Sequence, residues 1–130
     1  MSNYPEDLRY TEQHEWVRVE GKSAYVGVTD HAQHELGDIV YVELPSVNQM
    51  IEVSEKICVV ESVKTVSDVY SPVSGKVITI NIDLEDNPEI VNEDAYGEGW
   101  MVEIEMTNPE EVQSLMTAAE YKNFIEEAAS

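Results

Sequence analysis

The residue in this chain whose type and setting invite covalent chemistry is Lys64, in the segment Cys58-Val59-Val60-Glu61-Ser62-Val63-Lys64-Thr65-Val66-Ser67-Asp68-Val69-Tyr70. Two apolar, β-prone runs flank it, which predicts a tight hairpin with Lys64 at or beside the tip. A lysine there holds its amine in solvent, open to a modifying enzyme. Acylation as an amide would remove the charge and lengthen the side chain. The linkage resists hydrolysis while every bond of the stem stays rotatable, which suits a swinging arm.

Other candidate chemistry is thin. His31 and His34 are three apart and His14 is distant in sequence, but no cysteine or carboxylate stands at familiar ligand spacing, so no metal site is expected and solvated or capping roles are read for the histidines. Cys58 lies in an apolar run with no basic neighbour and reads as an inert buried thiol. No Ser-His-Asp order can be defended, and Gly97-Glu98-Gly99 lacks the strand-to-helix setting of a phosphate loop.

The elements that must position Lys64 are short strands. A strand over 16–20 turns at Gly21-Lys22 into 23–29, and further runs follow at 39–44, 51–53, 57–63, 66–70, 76–82 and 100–106. Pro, Gly and Asn between them point to a compact sandwich or barrel. The opening 1–15 reads as polar and irregular, 83–92 as an acidic loop, and 92–99 as turn-rich. Asp30 is read as the cap of a short helix, with Gln33 three residues on and Gly37 as its stop. Asn108, Pro109 and Glu111, then Thr117 and Glu120, predict two C-terminal helices over about 108–127, with Val112, Leu115, Met116, Tyr121, Phe124 and Ile125 on their apolar faces.

The chain has 130 residues, 42% of them hydrophobic, which predicts one folded domain over 1–130. Asp and Glu number 27 against 7 Lys and Arg, a formal charge of −20. Such a surface repels a phosphate backbone, so neither nucleic acid nor an anionic membrane is expected as partner, and basic patches on other proteins are. A single cysteine rules out an intramolecular disulfide and fits a reducing compartment. No secretory signal, transit peptide or bilayer-length apolar run is visible, so the expected location is cytoplasmic, with a processed mitochondrial form left open.

The segments ESVKT (61–65) and SDVYSPVSGKV (67–77) resemble the lipoylation hairpin of the glycine cleavage H-protein family. HEWVRVEG (14–21), VGVTDHAQHELGDIVYVELP (26–45) and YGEGWMVEIE (96–105) are similar to that family in the same order and cover nearly the whole chain. Two departures stand out: Thr65 where alanine is usual, and Ala95 where proline often precedes the tyrosine.

The resemblance implies a mainly β fold, with two small antiparallel sheets forming a flattened barrel of the lipoyl and biotinyl domain type. It implies lipoate on Lys64 and no catalytic centre in the chain. A pyridoxal-phosphate glycine decarboxylase (P protein) would load an aminomethyl group, a tetrahydrofolate-dependent aminomethyltransferase (T protein) would take the one-carbon unit, and a dihydrolipoyl dehydrogenase (L protein) would reoxidise the dithiol. Glu61, Ser62, Val63 and Thr65 would form the motif met by the lipoyl-attaching enzyme. Glu15 and Asp68 match positions that approach the loaded arm when it folds back; without the resemblance, Glu15 reads as a solvated surface charge and Asp68 as a turn-proximal one. A lipoyl relay to other lipoate-dependent enzymes is the alternative role. A biotinyl carrier would have methionines beside the lysine, where Val63 and Thr65 stand.

Overall fold

The computed structural model describes residues 4–129; residues 1–3 of the opening stretch and residue 130 at the other end lie outside the described part. Among the described residues, nine strands form two antiparallel sheets. The larger runs in the order β1 (Arg9–Tyr10), β2 (Glu15–Glu20), β3 (Ser23–Val28), β9 (Val102–Met106), β8 (Gly75–Ile80), β5 (Met50–Ile51). The smaller runs β4 (Ile39–Glu43), β6 (Lys56–Ser62), β7 (Val66–Tyr70). Strand β1 lies within the stretch read as irregular; Arg9 pairs with Val17 and Tyr10 with Trp16. Two residues, too short for an alternation to show, gain their ladder from β2.

Side-chain alternation sets the layers. In β9, Val102, Ile104 and Met106 are buried while Glu103 and Glu105 turn outward. Val17, Val26, Val60, Val77 and Ile104 belong to the principal core. Trp16, next to Val17 but on the opposite face, joins Tyr10 and Tyr121 in a second cluster that receives the C-terminal helix. Its indole N–H donates to the Ala95 carbonyl at 2.9 Å, so the buried nitrogen is satisfied.

Several helical expectations need correction. Helix α1 (Asp30–Leu36) is capped by Thr29, not Asp30: Thr29 is extended, its hydroxyl accepts the Ala32 N–H at 3.2 Å, and Asp30 instead accepts from the Gln33 amide at 2.8 Å. Gly37 does end the helix. The stretch 83–92 read as a loop carries two single-turn helices that continue to Glu93, α2 (Asp83–Asp86) and α3 (Ile90–Glu93). Each drives one apolar residue, Leu84 and Val91, into the principal core, which stabilises turns whose acidic composition hides them.

At the C-terminus the first expected helix is a 3₁₀ helix, Pro109–Ser114, without a side-chain cap from Asn108. Glu111 does not close a capping box. Its two oxygens accept the backbone N–H and the hydroxyl of Ser74, at 2.7 and 2.9 Å. The second, α4 (Ala118–Ala129), has the expected box: Glu120 accepts the Thr117 N–H at 2.9 Å and Thr117 accepts the Glu120 N–H at 3.3 Å.

Candidate functional site

The Lys64 turn is closed by its backbone and by Ser62. The Ser62 N–H donates to the Thr65 carbonyl at 2.8 Å, and the Ser62 hydroxyl oxygen accepts the N–H groups of Lys64 and Thr65 at 3.2 and 3.1 Å. The same hydroxyl donates to the Thr65 carbonyl at 3.3 Å. Ser62 is buried in this network. Ser62 is thus the side chain that braces the turn from within, and the lysine side chain takes no part in these bonds.

Lys64 is exposed, and no carboxylate forms an ion pair with it among the described residues. Glu61, Val63, Thr65 and Val66 are exposed around it, Val63 to 68%. An enzyme approaching the lysine meets these four side chains, while Ser62 acts from inside the turn.

From the turn, β7 leads toward a cleft. Val66 to Tyr70 covers roughly 13 Å at about 3.3 Å per residue. Alternation puts Val66, Asp68 and Tyr70 on one side of that strand, with Asp68 exposed and paired to Val59. The cleft, about 450 Å³, is lined by Glu15, Tyr70 and Ser54 among its polar residues and by Val53, Leu115 and Met116 among its apolar ones. Its far wall exists because Tyr10 and Met116 exchange two backbone hydrogen bonds of 2.9 Å, extending the large sheet with the segment before α4. Asp68 therefore stands between the turn and the cleft.

Glu15 is not the solvated charge that its residue type suggests: it is 2% exposed. Its carboxylate accepts the Thr11 hydroxyl at 2.6 Å and the Tyr70 N–H at 3.1 Å. Burial pushes the Glu15 carboxyl above its ordinary range, and these two bonds oppose the rise. No signal in the sequence points to Thr11 or to the Tyr70 backbone as partners of Glu15.

The remaining candidates fall elsewhere. His14 and His31, far apart in sequence, pack with ring centroids 4.7 Å apart, and His14 Nδ1 bonds the Tyr121 hydroxyl at 2.7 Å. Among the described residues no group of three or more His, Cys, Asp or Glu side chains could hold a metal ion. Cys58 is buried, and burial pushes its thiol up to about 12, so it is inert at neutral pH. No helix of the described residues is long and apolar enough to cross a membrane.

Two antiparallel sheets enclosing one core, with a lysine held out on the turn between two strands of the smaller sheet, define the lipoyl-domain-like class of carrier folds. The family model for the glycine cleavage H-protein matches residues 8–128. The glycine cleavage system H protein of Symbiobacterium thermophilum is 52% identical over 127 residues, covering 98% of this chain and 99% of the relative. That of Halalkalibacterium halodurans is 54% identical with the same coverage. The crystal structure of a glycine cleavage system H protein from Mycobacterium marinum superposes with a TM-score of 0.84 at 38% identity, covering 92% of this chain and 96% of that one. The chain belongs to the glycine cleavage H-protein family.

Proposed function

We propose that the whole chain, 1–130, is one lipoyl-carrier domain of the glycine cleavage system, cytoplasmic and without catalysis of its own, with lipoate joined as an amide to Lys64. The observation that carries this reading is the exposed amine on a turn closed without it. The residues fit the group: a primary amine open to acylation, and a cleft with apolar walls and one buried carboxylate toward which the adjoining strand leads. When bound, the lipoyl group supplies a disulfide able to take up and give back an aminomethyl fragment; the chemistry belongs to the group and to the partner enzymes.

The partners in this reading are the pyridoxal-phosphate P protein, the tetrahydrofolate-dependent T protein, the L protein and a lipoyl-attaching enzyme. The chain contributes tethering, so that the cargo meets each active site at high effective concentration. Glu61, Val63 and Thr65 present the modification site, and Ser62 fixes its shape. Asp68 and Glu15 attract the cationic cargo along the side of β7 that leads into the cleft, where water is partly excluded.

Expression with lipoate, intact mass and peptide mapping test the assignment: one lipoyl adduct is expected, on Lys64. A Lys64→Arg chain should fold with unchanged thermal midpoint and support no glycine decarboxylation with the partner proteins. An adduct on another lysine, or full activity of Lys64→Arg, overturns the reading.

A further inference from the structure

The two-residue link between α1 and β4 lies directly beneath the Lys64 turn. A Cβ placed on Gly37 would stand 2.9 Å from Cε of Lys64 and 3.8 Å from its Nζ, so the lysine stem lies across this bare position. The next residue along, Asp38, accepts the Val63 N–H on its carbonyl at 3.0 Å. The link is therefore both the surface under the lysine and the anchor of the turn that carries it.

Left to itself the link would be loose, since Gly37 sits at φ 83, ψ −156, where glycine has broad freedom. One side chain from α3 restrains it on both flanks of Asp38. Asn92 Oδ1 accepts the Ile39 N–H at 2.9 Å, and Asn92 Nδ2 donates to the Gly37 carbonyl at 2.9 Å and to Gln33 Oε1 at 2.9 Å. Asn92 is more than fifty residues from Gly37 and Ile39 in sequence, so only the fold brings its side chain to both.

We infer that Asn92 is a positioning residue for Lys64: by holding Gly37 and Ile39 it fixes the Asp38 carbonyl, which holds Val63, and so sets the direction in which the lysine is offered for acylation. The functional half rests on the proposed role of Lys64. Without Asn92 the link samples other backbone states, Val63 loses a fixed acceptor, and the fraction of chains presenting the lysine correctly falls, lowering the apparent rate of modification by that fraction.

The test compares the full chain with Asn92→Ala and with Leu8→Ala, which empties part of the second cluster, away from α3 and the link. Two quantities are read well below each thermal midpoint: hydrogen exchange of the Val63 amide, and kcat/KM of a lipoate ligase supplied with lipoate and ATP. Asn92→Ala should speed Val63 exchange and slow acylation, each about tenfold, whereas Leu8→Ala should leave both near the parent chain despite a lower midpoint. If Asn92→Ala matches Leu8→Ala in both readouts, the residue is structural only and the inference fails. Failure of the parent chain to be acylated at Lys64 would instead overturn the proposed function, so the two failures are distinct.

Discussion

The carboxylate of Glu15 accepts the backbone N–H of Tyr70 across 3.1 Å, tying the first residue of β2 in the large sheet to the last residue of β7 in the small one. β7 begins just past Lys64, so a buried charge joins the sheet that builds the cleft to the strand that leaves the lysine turn. Such a charge has a cost in desolvation that an exposed glutamate does not.

That cost makes Glu15 visible in pH titrations. Its folded carboxyl lies above its ordinary value of 4.5, so the native state binds this proton more readily than the unfolded chain. Its favourable share of stability is present below the ordinary value and is lost as pH rises through the folded value. Urea midpoints from pH 4 to 8 should show the parent chain losing ground to Glu15→Gln as pH rises. A constant difference between the two would show that Glu15 titrates alike in both states.

His14 works in the opposite direction. Burial, then the neighbouring His31, lowers its value from 6.5, while Glu35 pulls the other way. The native state disfavours the proton, so stability is complete above about 6.5 and declines as pH falls below it. Thermal midpoints should fall between pH 7.5 and 5.5 in the parent chain and less in His14→Asn, a residue that tolerates the φ of 70 at this position. Equal slopes would remove His14 from the account.

Gly75 pairs with Met106 and Ile51 at the centre of a close approach. A Cβ there would run into the Glu105 carbonyl oxygen and stand 2.7 Å from Ile104 Cγ2. Backbone cannot give way as a side chain can, so Gly75→Ala should cost about 1–3 kcal/mol or more, read as a lower urea midpoint. A neutral change would mean that β8 and β9 part more easily than their pairing implies.

Leu84 is fully buried from a helix of four residues that packs on β4. Leu84→Ala should destabilise by about 2–5 kcal/mol, far more than its place in an acidic stretch suggests. An effect below about 0.5 kcal/mol, the size expected of a surface change, would show that α2 adds nothing to the core.

Much of this arrangement is legible in the residues. The alternation of β9, the two-residue turn at Gly21-Lys22 between β2 and β3, the stop at Gly37 and the hairpin around Lys64 all follow from local pattern. What was hidden depends on partners remote in sequence. Thr29 outranks Asp30 as a cap because β3 delivers it extended; α2 and α3 exist because each has one residue to bury; Glu111 answers to Ser74 rather than to its own helix. Glu15 is the sharpest case, since a charged side chain announces exposure and only the fold supplies the two donors that let it lie inside.

The Ser62 hydroxyl, which locks the turn from within, has a consequence for traffic through such a system. Because the lock is made without the lysine side chain, the turn keeps one shape whether or not that side chain is extended as proposed. On the proposed function, an enzyme that read the turn alone would have only the arm by which to tell blank copies from laden ones, and blank copies would compete for its berth.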